Sequence, residues 1–219
     1  MNKLVLVIVG LSLLLLAYVR IKANYCDLVE IPQINPNIKL DIRYATTNNF
    51  TGKVVYPSSR CYLRRAVAEK LDKVQRELEE LGLGLKIFDG YRPLSVQRKF
   101  WEICPDPRYV ADPAKGSKHN RGSAVDVTLI DRATGKELVM PSEFDDFTEK
   151  AHRDYAKMAP EGARYCKLLE LIMVKHGFIP LPTEWWHFDD INWENYDLLD
   201  KDFDQLENIK SQQVNKQEL

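Results

Sequence analysis

Two short segments of the sequence hold residues that together could bind a metal ion and activate water. The first, Gly116–Leu129, contains His119 and Asp126 seven positions apart, and the second, about 60 residues later, ends in Glu184-Trp185-Trp186-His187. Two histidines and one aspartate give zinc three protein ligands and leave a fourth position for water, as in catalytic zinc sites. Glu184 is a carboxylate beside a ligand that could accept a proton from that water. The residues therefore predict a zinc peptidase.

Each of these residues also has a plainer interpretation. A single histidine is most often a surface or hydrogen-bonded side chain, and we interpret His152 and His176 in that way. Asp126 lies in a run of β-branched residues, where it would be buried, and a buried charge needs a partner or a metal. The two tryptophans could fill the core or form a pocket wall. From the residues alone, these side chains could form a metal site or could have ordinary roles in the core and at the surface.

The spacing of the candidate ligands places demands on the elements that carry them. Residues seven or three positions apart point to opposite faces of a regular strand. His119 must therefore come from the loop before the strand, with Gly122 allowing the bend, while Asp126 projects from the strand itself. A bulge or a turn is needed between Glu184 and His187 if both are to reach one metal.

The hydrophobic pattern predicts a mixed set of elements. Helices are expected at residues 63–81, 94–103 and 162–176. Strands are expected at residues 38–42, 85–88, 124–130, 178–181 and 185–188, with 138–140 pairing back as a hairpin. Because these elements follow one another without a regular strand-helix-strand order, they favour an α+β fold in which helices back an antiparallel or mixed central sheet.

The bulk composition is that of one ordinary globular domain with additions at its ends. The chain has 219 residues, of which 45% are apolar and 29% charged. A net charge of -1 and the lack of a basic patch give no support to nucleic-acid binding. The four cysteines, which are Cys26, Cys61, Cys104 and Cys166, could be separate buried thiols or form one or two disulfides. The sequence does not set the oligomeric state.

The N-terminal residues differ from the rest of the chain. Lys3 precedes an apolar run from 4 to 19, and Arg20 and Lys22 follow it. We interpret residues 1–23 as a signal peptide or membrane anchor, with a buried helix as the alternative. This interpretation predicts a periplasmic or extracytoplasmic protein, attached to a membrane if the segment is retained. The catalytic domain is then expected at 24–201 and a polar C-terminal tail at 202–219.

Four blocks of the sequence resemble those of VanX-type D-alanyl-D-alanine dipeptidases. In chain order they are Tyr44–Gly52, Asp89–Pro93, Ser117–Asp126 and Glu184–His187. The resemblance covers roughly residues 28 to 195, with similar gaps between the blocks. The broader group is similar in its zinc site to D,D-carboxypeptidases and to the hedgehog signalling domain, and its fold is α+β.

The resemblance implies a role for each matching residue. It implies one zinc ion per chain, held by His119, Asp126 and His187. Glu184 matches the catalytic base, and Arg92 matches an arginine that stabilises the developing oxyanion. Ser117 and Asp145 match residues that hold the free amino group of the substrate, although Asp145 rests on a short Phe-Asp match.

The implied reaction is hydrolysis of the D-alanyl-D-alanine dipeptide to two D-alanines, in cell-wall peptide turnover or glycopeptide resistance. One alternative is a D,D-carboxypeptidase that acts on longer peptidoglycan peptides. Another is a zinc-binding module without catalysis, which would be expected to lack the residue at Glu184 or Arg92. Segments 104–116 and 147–163 match the better-known members poorly, so the exact substrate preference stays open.

Overall fold

The computed structural model describes residues 28–207. Its α-helices are α1 (Ile31–Ile34), α2 (Arg65–Glu80), α3 (Leu94–Ile103) and α4 (Pro160–Lys175). Its strands are β1 (Leu28–Glu30), β2 (Lys39–Leu40), β3 (Tyr62–Arg64), β4 (Leu83–Asp89), β5 (Ala124–Asp131), β6 (Phe178–Pro180) and β7 (His187–Asp190). The longer helices and strands lie within a few residues of their predicted positions.

A five-stranded mixed sheet forms the centre of the fold. Its strand order is β2-β4-β5-β7-β6, with β2 parallel to β4 and every other pair antiparallel. Strands β1 and β3 make a separate antiparallel pair. The predicted α+β fold with a mixed sheet and helices beside it is therefore confirmed.

The apolar stripe of α2 explains how the sheet is covered. Val67, Leu71, Val74 and Leu78 recur at three- and four-residue spacing, and all four are fully buried. The helix ends just before Gly82, whose φ of 72° is the left-handed conformation that glycine adopts without strain. Burial of this stripe against the sheet fixes one face of the strands that carry the candidate site.

Strand β5 is the innermost part of the sheet, because β4 and β7 flank it on its two edges. Seven of its eight residues are buried, and Asp126 and Thr128 are buried with them. The predicted hairpin at 138–140 is reduced to one isolated bridge between Ile130 and Glu137 and a hydrogen bond from Leu138 N to Leu129 O.

The packed structure continues past residue 201. Residues 203–207 are helical, and Phe203 and Leu206 are buried against the domain. Cys61, Cys104 and Cys166 are free thiols, so no disulfide joins these three residues. Cys26 lies outside the described residues.

The predicted periplasmic or extracytoplasmic location, with a possible membrane anchor, is corrected by the structure. Between residues 28 and 207 there is no helix that is long and apolar enough to span a bilayer. The two longest helices, α2 and α4, have 16 residues each, which gives about 24 Å of helix against ~30 Å of hydrocarbon. The apolar run from 4 to 19 lies outside the described residues, so nothing supports the anchor or the location predicted from it.

Candidate active site

Three of the predicted site residues converge on one point near the start of β5. The distance from His119 Nε2 to His187 Nδ1 is 3.2 Å, and from His119 Nε2 to Asp126 Oδ1 it is 3.4 Å. His187 Nδ1 lies 2.9 Å from the same oxygen of Asp126. All three residues are buried. This group could hold a metal ion.

Local backbone geometry brings the three side chains together as the sequence required. His119 opens the 3₁₀ turn His119–Arg121, and Gly122 follows with a left-handed φ of 67°. Asp126 lies in β5, directly opposite His187 at the start of β7. A turn closed by the hydrogen bond from His187 N to Glu184 O lies between Glu184 and His187. Both geometric predictions are thus confirmed.

Hydrogen bonds to the outer ring nitrogens fix which atoms face the centre. His119 Nδ1 lies 2.7 Å from the carbonyl oxygen of Gly90, which can only accept, so Nδ1 carries the proton. His187 Nε2 lies 2.9 Å from Asp189 Oδ1. In the neutral rings, His119 Nε2 and His187 Nδ1 then present lone pairs to each other and to Asp126. Such a cluster of acceptors needs a cation or a proton at its centre.

The charges in this cluster influence one another strongly. Burial opposes ionisation of Asp126, but the imidazoles of His119 and His187 outweigh it and hold the pKa of its carboxyl below the ordinary range. Burial also opposes protonation of His187, but Asp189 and Asp126 outweigh it and raise the pKa of the imidazole to about 10. A metal held by these residues would therefore have to displace a proton from His187.

Glu184 lies beside this cluster, with Oε2 at 3.8 Å from His187 Nδ1. Its side chain is 18% exposed and lines a cavity of about 600 Å³ that also reaches His119, Asp126 and His187. Burial raises the pKa of the Glu184 carboxyl above its ordinary value. A carboxylate with a raised pKa is a stronger proton acceptor, which suits a general base.

Arg92 lines the same cavity and is held rigidly. Its Nε and Nη2 lie 3.1 and 2.7 Å from Asp89 Oδ2, and its Nη1 donates to Gln97 Oε1 at 2.9 Å. The guanidinium lies 4.7 Å from the ring centre of Phe100. Since these contacts occupy three of its five N–H groups, two remain, among the described residues, for a ligand in the cavity.

The other two predicted site residues also line the cavity. Ser117 is buried, and its Oγ accepts from His119 N at 3.2 Å. Asp145 accepts from Tyr44 Oη at 3.1 Å and from Phe50 N at 3.2 Å. Burial raises the pKa of the Asp145 carboxyl to about 7. Asp145 is the non-glycine residue with positive φ, at 62°, in the described chain, a conformation that turns the chain sharply at the cavity wall.

Comparison with known proteins gives this arrangement a context. A profile described as D-ala-D-ala dipeptidase, of the M15 peptidases, matches residues 24–207. The chain belongs to this family. It is therefore an enzyme of a metallopeptidase family, and its substrate class is a small peptide.

Individual members of the family match most of the chain. A D-alanyl-D-alanine dipeptidase of Escherichia coli is 38% identical over 177 residues, which cover 81% of this chain and 91% of the relative. One from Enterococcus faecalis is 33% identical, covering 69% of this chain and 85% of the relative. One from Streptomyces coelicolor is 31% identical, covering 74% and 90% respectively.

Several residues that support the site did not emerge from the sequence patterns. Asp189 accepts a hydrogen bond from His187. This contact could have been predicted, because residues two apart lie on the same face of a strand. Tyr44 falls in a recognised block, but nothing in that block showed its contact with Asp145. Gln97 follows Arg92 by only five residues, but no pattern in the sequence showed that its Oε1 accepts from the guanidinium. Arg153 donates to the carbonyl oxygen of His187, 34 residues away, and a single sequence contains no signal for such a contact.

Proposed function

We propose that this protein is a zinc-dependent peptidase that hydrolyses D-alanyl-D-alanine to two D-alanines. The observation that carries the proposal is the convergence of His119 Nε2, Asp126 Oδ1 and His187 Nδ1 beside Glu184 and Arg92 in one cavity. The match to a family of D-ala-D-ala dipeptidases supports the substrate.

The donor set fits zinc. Bond lengths of ~2.0–2.1 Å in a tetrahedral site imply ligand atoms about 3.3 Å apart. The three distances between ligand atoms here are 2.9, 3.2 and 3.4 Å. Both histidines donate from their other nitrogen, to Gly90 O and to Asp189, as zinc-ligating histidines almost always do. Three protein ligands leave a position for water.

Bound zinc would lower the pKa of its water towards ~7 and polarise the peptide carbonyl. Glu184 accepts the proton of the attacking water and delivers it to the leaving amine. Arg92 directs its two remaining N–H groups at the oxygen that becomes negative, and Asp89 and Gln97 hold it in place for that task. Ser117 and Asp145 bind the ammonium group of the substrate.

Two alternatives make different predictions. A D,D-carboxypeptidase would accept longer peptides at least as well as the dipeptide. A zinc-binding module without catalysis would bind the metal and hydrolyse neither. The presence of both Glu184 and Arg92 in the cavity favours an enzyme over a module.

The deciding experiment measures D-alanine released from D-Ala-D-Ala by the full chain loaded with zinc. Glu184→Gln keeps the size of the side chain and removes the base, so we expect activity to fall by about 10²–10⁴-fold with one zinc still bound. Glu161→Gln, at an exposed position of α4, is the matched control. Activity that survives in Glu184→Gln would remove Glu184 as the base. A zinc-loaded wild type that hydrolyses only longer peptides would favour the carboxypeptidase.

A further inference from the structure

Two aromatic rings from different loops meet at the wall of the cavity. Tyr109 and Phe147 are stacked, with ring centres 4.8 Å apart and planes inclined by 16°. Phe147 also contacts Phe50, with ring centres 5.3 Å apart. Tyr109 and Phe147 lie outside the four blocks of the sequence that carry the family resemblance. The stack is therefore not part of those blocks.

The stack lies between two cavities. Besides the cavity of about 600 Å³ that contains the candidate metal ligands, a second cavity of about 310 Å³ adjoins it. Tyr109, Phe147 and Glu184 line both cavities. Since the rings border both spaces, they form part of the wall that separates them.

The stacked rings lie close to the residue that we propose binds the amino end of the peptide. Asp145, the proposed partner of the substrate ammonium, accepts a hydrogen bond from Phe50 N, and Phe50 packs on Phe147. Any residue added before the dipeptide would extend from Asp145 towards these rings. Beyond them, the smaller cavity is lined by Asp146, a carboxylate that could accept an ammonium group displaced by one residue.

We propose that the stacked rings of Tyr109 and Phe147 determine substrate length, by closing the space that the amino-terminal extension of a longer peptide would need. This inference rests on the proposed dipeptidase function and adds to it the residues that exclude longer peptides. Removing one ring joins the two cavities, so that a tripeptide ending in D-Ala-D-Ala can place its amino group beside Asp146.

The test compares kcat/KM for D-Ala-D-Ala and for Gly-D-Ala-D-Ala, using the zinc-loaded full chain. We expect Phe147→Ala to raise the ratio of tripeptide to dipeptide activity by about 10–200-fold, the range over which pocket shape discriminates. Tyr109→Phe retains the ring and should keep the wild-type ratio. Leu171→Ala, at an exposed position of α4 outside both cavities, should also keep it. If Phe147→Ala fails to fold, the same ratio is measured for Phe147→Leu, which keeps apolar packing without the ring.

The outcomes separate this inference from the function on which it rests. A raised ratio in a Phe147 variant, with the ratio unchanged in Tyr109→Phe and Leu171→Ala, supports the proposal that the stacked rings limit substrate length. A wild type that hydrolyses D-Ala-D-Ala, with the same ratio in a folded Phe147 variant, overturns the inference alone. A wild type that is equally active on both peptides overturns the inference and also favours the carboxypeptidase over the dipeptidase. A zinc-loaded wild type without activity on D-Ala-D-Ala overturns the proposed function and the inference together.

Discussion

Arg153 holds the backbone of His187, because its Nη2 lies 3.1 Å from the carbonyl oxygen of that residue. Its Nε donates to Leu181 O at 2.9 Å, and its backbone N–H donates to Pro182 O at 2.9 Å. The guanidinium also lies 4.4 Å from the ring centre of Phe188. One side chain from the loop before α4 thus fixes both ends of the segment that carries Glu184 and His187.

Replacement of Arg153 should therefore affect both stability and catalysis. In Arg153→Ala the carbonyls of Leu181 and His187 each lose a charged donor and keep only a backbone N–H, from Glu184 and Leu181 respectively. We expect a loss of about 1–3 kcal/mol in the free energy of unfolding. We also expect kcat to fall more than KM rises, because Glu184 and His187 lose their alignment. Arg153→Lys, which can still donate to one carbonyl, should recover part of kcat. Urea unfolding and steady-state kinetics measure both effects.

The control for this prediction is Arg164→Ala, which removes an exposed arginine of α4 and should change the free energy of unfolding by no more than about 0.5 kcal/mol. Equal effects of the two alanine variants on kcat would contradict a positioning role for Arg153.

Asp189 should affect metal affinity indirectly. It contacts His187 Nε2 and would orient that ring, rather than bind the metal itself. Its Oδ1 accepts from that nitrogen at 2.9 Å, which leaves Nδ1 as the atom of the ring that would bind the proposed metal. Asp189→Ala should weaken zinc binding by about 10–100-fold, and Asp189→Asn, which keeps an acceptor oxygen, should weaken it less. Competition with a chelator measures the affinity. An exposed control, Asp204→Asn, should leave it unchanged, and an unaltered affinity in Asp189→Ala would refute the role.

The stability of the metal-free protein should depend on pH through Asp145. Burial raises the pKa of this carboxyl to about 7, from 3.8. Between about pH 4 and 7 the folded state therefore holds a proton that the unfolded chain has released, so this group makes stability fall as pH rises. Asp145→Asn cannot ionise, and asparagine tolerates the positive φ at this position.

The measurement for Asp145 is urea unfolding of wild type and Asp145→Asn across this pH range. The stability of the variant relative to wild type should increase steadily with pH, and other titrating groups cancel in the comparison. A difference that stays constant with pH would show that the ionisation of Asp145 is not coupled to folding.

A side chain at Gly122 should be costly, because this residue has a left-handed backbone and also lies against Leu28 and Arg64. A Cβ there would lie 2.6 Å from Leu28 Cδ2 and 3.3 Å from Arg64 N. Gly135 has a similar φ of 70° but nothing within 4 Å of its Cβ position. Gly135→Ala should cost about 1–2 kcal/mol from backbone strain alone, and Gly122→Ala about 1–3 kcal/mol more from overpacking. If the two variants lose the same free energy of unfolding, measured with heat or urea, the contacts around Gly122 adjust to a Cβ without cost.

The sequence by itself determined the residues of the candidate site and the elements that carry them. The apolar spacing of α2 and the β-branched run around Asp126 are local patterns, and local patterns set helices and strands. The bend at Gly122 and the turn between Glu184 and His187 could be predicted, because residues seven or three positions apart point to opposite faces of a regular strand. The prediction of an extracytoplasmic location was wrong, since no helix between residues 28 and 207 is long and apolar enough to span a bilayer.

Only the tertiary structure decided how the site is held and closed. The register of β5 against β7 sets Asp126 opposite His187. The contacts of Gly90 with His119, of Arg153 with His187 and of Tyr109 with Phe147 each join residues that are about 30 to 40 positions apart in the sequence. Such contacts depend on how strands pair and loops cross, and these arrangements are selected by packing of the whole core rather than by the preferences of neighbouring residues.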